Sequence, residues 1–345
     1  MRGSHPLFAL LLMGGTLVAA CTGGDAADGP ADGAVLAQGK TTETEGPYLL
    51  VVNKSSNTLS VVDPATREEI KTLQTGFAPH EVAVSRDGRF AYVTDYGTGS
   101  EPGNTVTVVD LEAMGVVETL SIAPHTRPHG VAAAADGTIW VTAEGSSHVL
   151  QLDPSSGEIL QAVETGQAVT HMVAVAEEAG RVITANIGSG TATIVDPASQ
   201  SVVAHVETGA GAEGLTVHPD GMRAYVTNRS AGTLVEVDLT TGTITRSMAV
   251  GDFPIRVKAR PGGAELLVSN ANGNEVVAVD PERWVILRRL AVGAAPIGIL
   301  ITPDNQTAYV ANTQDDKVTV IDLVNWEVAG EILTGDEPDG MAWIS

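Results

Sequence analysis

Residues His218 to Gly251 read HPDGMRAYVTNRSAGTLVEVDLTTGTITRSMAVG. Runs that alternate apolar and polar residues, or are rich in β-branched ones, are separated by PDG, NRSAG and DLTTG. That is how strands joined by tight turns read in sequence. About four strands fit into roughly forty residues at this spacing.

The same phrase returns along the chain, marked by an aliphatic-Asp step at the end of each third strand. The aspartates are Asp63, Asp110, Asp153, Asp196, Asp238, Asp280 and Asp322, separated by 47, 43, 43, 42, 42 and 42 residues. A fixed period near forty with four strands per period predicts an all-β, seven-bladed β-propeller of four antiparallel strands per blade, because one such sheet cannot bury both its faces alone. Ten residues before most of these aspartates an asparagine closes the second strand: Asn53, Asn186, Asn228, Asn270 and Asn312. Blade two reads YVTD at Tyr92–Asp95, blade five YVTN at Tyr225–Asn228 and blade seven YVAN at Tyr309–Asn312. These motifs resemble the YVTN-repeat β-propeller family over residues 46–345, and the resemblance implies a propeller like that of the quinoprotein amine dehydrogenase β chain. Kelch and WD40 repeats fit less well, since no Trp-Asp dipeptide occurs.

The first strand of the domain, Tyr48–Asn53, aligns with the second strand of every later blade. Gly340–Ile344 aligns with the innermost strands that begin near Glu81, Gly130, Met172, Gly214, Arg256 and Gly298. The ring is therefore predicted to close by the C-terminal strand completing the first blade, which removes exposed sheet edges.

At the N-terminus, residues 1–20 carry Arg2, a short apolar run and Val18-Ala19-Ala20-Cys21. The run is shorter than the roughly twenty apolar residues of a membrane span and reads as an export signal. Its end resembles a bacterial lipobox, which implies lipidation of Cys21. Residues 21–45 are rich in Gly, Ala, Asp and Thr and read as a flexible acidic tether, holding the domain about 28 Å from its anchor. Cys21 is the lone cysteine, so the mature domain has neither a disulfide nor a thiolate metal site. The expected location is the cell envelope, at the periplasmic face of a membrane or the cell surface, with membrane contact through the lipid alone. A net charge of −23 argues against nucleic acid and anionic lipid surfaces as partners. A monomer is expected, with an envelope protein as a further partner.

The hairpin order sorts the loops onto two rims. One rim carries the PDG and DP turns, which repeat closely and read as structural. The other, here the upper face, carries the loops into the innermost strands and those after the YVTN-type strands. The two residues leading into each innermost strand are His80-Glu81, His129-Gly130, Thr170-His171, Glu213-Gly214, Ile255-Arg256, Ile297-Gly298 and Asp339-Gly340. A purely structural repeat would be bland here, and most blades place a charge or an imidazole instead. Neighbouring loops add Asp95, Glu144, Arg229 and Lys317. A longer loop in blade two, Gly97–Asn104, stands over the same rim.

His80, His129 and His171, from three consecutive blades, are the candidate metal ligands, with copper or zinc as the cofactor. Glu81, Glu144, Glu213, Arg229, Arg256 and Asp339 are the candidate ligand-binding residues. The architecture resembles the propellers of nitrous oxide reductase and virginiamycin B lyase, without a motif that matches residue by residue. Three readings stand side by side: histidines that bond loop carbonyls in a wet channel, a metal site, and a site for an anionic or carbonyl-bearing small molecule. Gly209-Ala-Gly211-Ala-Glu213-Gly214 fits GxGxxG but leads into a strand, so no helix N-terminus meets a pyrophosphate. No GxSxG or HExxH occurs. The function expected is a ligand- or metal-binding or scaffolding module acting through the channel mouth. The alternative is a metal-dependent enzyme, a lyase or an oxidoreductase partner, using the His/Glu cluster.

Overall fold

The structure is a computed structural model describing residues 46–345. The export signal (1–20), the tether (21–45) and Cys21 lie outside the described residues. The described residues form seven four-stranded antiparallel sheets. Blade two, for example, runs Pro79–Val84, Phe90–Gly97, Pro102–Asp110 and Gly115–Ser121 from hub to edge. Blade one takes Tyr48–Asn53, Thr58–Asp63 and Glu68–Gln74 and receives Pro338–Ile344 as its innermost strand, with Leu49 opposite Trp343 and Val51 opposite Met341. The closing strand begins two residues earlier than the alignment suggests.

The core lies between blades. Leu50 and Val52 of blade one pack with Val82 and Val93 of blade two, while Leu49 and Val51 face Tyr309 and Val318 of blade seven. Second strands are covered on both faces, which is why YLLVVN is buried throughout and carries no alternation. The outermost strand Glu68–Gln74 keeps only Leu73 buried. The tyrosines and tryptophan of the YVTN position, Tyr92, Trp140, Tyr225 and Tyr309, are buried in blade packing. Trp343 of the closing strand stacks on Tyr309 of blade seven, 6.0 Å between ring centres, so the last strand ties two blades together.

The repeating aspartates and asparagines have separate jobs. Each aspartate caps the next turn: Asp63 Oδ1 accepts the Ala65 amide at 2.8 Å, and Asp238 Oδ1 accepts those of Thr240 and Thr241 at 2.8 Å. Each asparagine clamps the neighbouring strand, as Asn53 does by donating to Thr58 and Ser60 at 3.0 and 2.9 Å. Asp95 takes that place in blade two, accepting from Thr105, Thr107 and the Gly76 amide. It is buried in the sheet and is no mouth charge, and burial pushes its carboxyl up to about 6. Lys317 likewise stays on its own blade, 3.0 Å from Glu331. The expected long loop of blade two is instead an extension of its central hairpin, paired as far as Gly97 opposite Pro102.

The threonine of the YVT motif bridges adjacent blades. Thr142 Oγ1 accepts the Gly130 amide at 2.8 Å and donates to the His171 carbonyl of blade four at 2.5 Å. Thr94 does the same between Glu81 and the His129 carbonyl, and Thr227 between Gly214 and the Ile255 carbonyl. These bonds set the angle at which each innermost strand presents its first residues to the channel.

Candidate functional site at the channel mouth

Every innermost strand is irregular where it meets the upper face. The pairing register shifts between Pro79 and Val82, between Pro128 and Val131, and at the matching place in the other five blades. A bulge releases residues from the ladder and re-aims their side chains. Just ahead of it the backbone is left-handed in each blade, at Ala78, Arg127, Val169, Gly211, Phe253, Ala295 and Glu337. The turn and the bulge together direct two residues per blade into the mouth. In blade four that pair is His171-Met172, one residue later than the sequence alignment gives, because Thr170 pairs with Asn186 as Ala212 does with Asn228.

The first residues of these pairs make an upper ring: His80, His129, His171, Glu213, Ile255, Ile297 and Asp339. The second residues, one level down, are Glu81, Gly130, Met172, Gly214, Arg256, Gly298 and Gly340. The strands approach closely at this level, and a Cβ on Gly214 would lie 2.1 Å from the Ile255 carbonyl and one on Gly298 2.0 Å from that of Asp339. The three pairs that do carry a side chain here meet across the channel. Arg256 bonds Glu81 from the far side of the ring and sets its Nη1 3.0 Å from Met172 Sδ. Asp339 lies 3.6 Å from Arg256 and 3.6 Å from Lys54. The hub is therefore plugged by a buried ion cluster. Burial pushes Glu81 up despite Arg256, while Asp339 is held down against burial by Lys54 and Arg256. Lys258, two residues below Arg256 on the same strand, is lowered by burial and by the arginine.

A third set of groups comes from the position just after the YVTN-type motif in blades one, two, three and five: Lys54, Tyr96, Glu144 and Arg229. The last three build a chain of contacts around His171. Its Nδ1 lies 2.5 Å from Glu144 Oε1 and its Nε2 3.4 Å from Glu213 Oε1. Tyr96 donates to the other oxygen of Glu144 at 2.6 Å, and Arg229 lies 2.6 Å from Glu213. Burial works against the charged form of His171, but Glu213 and Glu144 outweigh it and raise the imidazole to about 9. Burial opposes ionisation of Glu213 too, and His171 and Arg229 overcome it to hold the carboxyl down. In the metal-free protein at neutral pH, His171 is an imidazolium between two carboxylates.

His129 and His80 have the opposite character. Burial lowers both, His129 well below the usual histidine range with His171 and His80 as added repulsions. His80 Nδ1 donates to the Ala78 carbonyl at 2.8 Å. The Nδ1 of His129 is buried without a hydrogen-bond partner. The three rings form one column, with centres 4.7 Å apart from His80 to His129 and 3.6 Å from His129 to His171. Tyr96 packs over His80 at 4.5 Å.

The structure thus gathers His80, Glu81, His129, Glu144, His171, Glu213, Arg229, Arg256 and Asp339 around one mouth. The donor atoms that converge within 4.8 Å of one another belong to His129, Glu144 and His171. Sequence reasoning passed over Lys54, Tyr96, Met172 and Lys258. The signal for the first two was their position directly after the YVTN-type motif, shared with Glu144 and Arg229. Blade seven contributes little to this rim, with Ile297-Gly298 leading its innermost strand and Thr313 after its second, and blade six gives Arg256 beside the apolar Ile255 and Ala271.

The Phytase-like family, described as "Esterase-like activity of phytase", matches residues 81–327. The chain belongs to the Phytase-like family. The match runs from the innermost strand of blade two to the start of the outermost strand of blade seven and takes in every mouth residue except Lys54, His80, Asp339 and Gly340. No curated protein matches this Phytase-like chain. Among solved structures it is similar to hydrazine synthase of Kuenenia stuttgartiensis, at 20% identity and a TM-score of 0.70, covering 83% of this chain and 98% of that one. A functionally unknown protein from Desulfotomaculum acetoxidans aligns at 12% identity with a TM-score of 0.74, over 86% and 98% of the two chains. Dihydro-heme d1 dehydrogenase NirN in complex with DHE aligns at 15% identity and 0.63, over 86% and 74%. At these identities the likeness is one of fold.

Proposed function

We propose that this propeller is a metal-binding module whose site is the upper channel mouth, with His129, Glu144 and His171 as the ligands of a divalent zinc or copper ion. The observation that carries the reading is the buried, unpartnered Nδ1 of His129 beside an imidazole and a carboxylate whose donor atoms converge. Two nitrogens and one oxygen suit zinc and copper(II) better than the oxygen-seeking magnesium or calcium. Glu213 and Arg229 fit as the supporting layer: a ligating histidine commonly donates its other ring N–H to a carboxylate, the place Glu213 holds at His171 Nε2. Two imidazoles sharing one ion have ring centres roughly 4.5–5 Å apart, given metal–nitrogen bonds near 2.0–2.1 Å. The stack of His129 on His171 at 3.6 Å is closer, so binding opens it. The Nδ1 proton of His171 must also leave, which makes uptake favour higher pH.

Metal analysis of protein purified without an affinity tag and then exposed to one equivalent of zinc tests this. One ion per chain is expected in the parent and at least tenfold weaker binding in His129→Ala. No metal in the parent, or equal retention in the variant, overturns it.

A second reading, metal-dependent hydrolysis of a phosphate ester, is favoured by the family's description and by Lys54, Arg229 and Arg256 on the same mouth. Zinc-dependent release of p-nitrophenol from p-nitrophenyl phosphate, lost in His129→Ala, is its test. A rate equal to buffer alone removes it. The module is further proposed to stand in the cell envelope on a lipid carried by Cys21, a reading supported by the lipobox-like Val18-Ala19-Ala20-Cys21. Cys21→Ser is expected to leave the membrane fraction, and its retention there contradicts the anchor.

A further inference from the structure

We infer that His125 and His148 form a second site for a borderline divalent cation, copper(II) foremost, on the upper face at blade three. The observation is independent of the mouth. In blades one, four and five the asparagine that ends the second strand donates to a threonine opening the third, at 3.0, 3.1 and 3.0 Å for Asn53–Thr58, Asn186–Thr191 and Asn228–Thr233. Blade three has neither residue: Ala143 stands for the asparagine and His148 for the threonine. The clamp has been given up, and an imidazole stands in its place.

A second imidazole comes to meet it. His125, from the loop that leads into blade three, lies with its ring centre 4.6 Å from that of His148. That spacing falls within the roughly 4.5–5 Å expected of two imidazoles sharing one ion. Both rings are only partly buried, so water and ions reach them. One residue orients both. His148 Nδ1 lies 2.6 Å from the Ser146 carbonyl, and His125 Nδ1 lies 2.9 Å from the Ser146 hydroxyl. A carbonyl only accepts, so His148 Nδ1 carries the hydrogen and its Nε2 carries the lone pair. A hydroxyl also accepts, so His125 takes the same tautomer without losing its bond. Ligating histidines are oriented in this manner, through the ring nitrogen that does not touch the ion. Two neutral nitrogens with the remaining positions left to water suit copper(II), at the top of the divalent series. A chain of net charge −23 concentrates such cations around it.

Titration of the full chain with copper(II) in the His129→Ala background, followed by calorimetry and electron paramagnetic resonance, isolates this site from the mouth. One equivalent is expected, with nitrogen couplings from two imidazoles. Adding His125→Ala, or His148→Thr, which restores the residue used by blades one, four and five, should weaken binding at least tenfold and leave couplings from a single nitrogen. Ser146→Ala should weaken it roughly tenfold while keeping both couplings. An unchanged melting temperature in these variants shows that the fold is intact. Failure of His129→Ala to bind any copper(II), or binding indifferent to both histidine replacements, overturns the second site. Neither result touches the mouth site, which is read out by His129→Ala alone.

Discussion

His171 shows how three imidazoles in one column hold different charge. It is flanked by Glu144 and Glu213, while His129, whose ring lies against it, has no carboxylate of its own and a buried free nitrogen. The consequence for stability has a definite sign. The folded chain keeps the His171 proton up to about 9, whereas an unfolded chain releases it near the ordinary histidine value of about 6.5. Its contribution is therefore complete below the unfolded value and is lost as pH rises through the folded one. The loss is on the order of 3 kcal/mol. Thermal melts of metal-free protein from pH 6.5 to 9.5 should show a decline that His171→Gln lacks, and parallel curves would contradict the assignment. At this scale the sequence was partly legible. The mouth histidines and acids stood out because the repeats differ where they ought to agree. Tyr96 did not, since an aromatic beside a strand end reads as packing, and nothing in sequence tells that its hydroxyl meets Glu144.

The strands and their turns were the most legible part, because the Asp and Asn markers are spaced by the geometry of the blade itself. Tyr48–Asn53 is the strand the pattern predicts, to the residue. The misreadings arose at irregular backbone. The bulges moved the starts of the innermost strands and the slot in blade four by one or two residues, and pairing across Gly97 and Pro102 turned an expected loop into hairpin. The YVT threonine carries a cost that its place in a motif does not reveal. Thr142→Val keeps the shape but leaves the Gly130 amide and the His171 carbonyl without that partner, at about 1–3 kcal/mol. A fall of roughly 2–8 °C in melting temperature is expected, and a shift under one degree would show that the bridge is idle. The closing strand bears more. Removing residues 340–345 strips Met341, Trp343 and Ile344 from the packing with blades seven, one and two, and should abolish cooperative unfolding. A truncated chain that melts within a few degrees of the parent would contradict the closure.

For the whole molecule, the ring sets what the site is able to be. Seven strands converge on the axis, so two residues from each are enough to build a mouth and a plug without any long loop. The polar residues gather on blades one to five, Arg256 of blade six completes the plug, and the bland Ile297-Gly298 pair of blade seven with Ile255 of blade six leaves the column of histidines off centre. The family match covers residues 81–327 of the ring but does not set the chemistry, which is proposed to rest on His129, Glu144 and His171. Crystals of the chain soaked with one equivalent of zinc and measured on both sides of the zinc absorption edge test that claim most directly. The account predicts an anomalous peak among His129, Glu144 and His171, with their rings drawn apart. Density that leaves the His129–His171 stack closed and the peak absent from the mouth would contradict it.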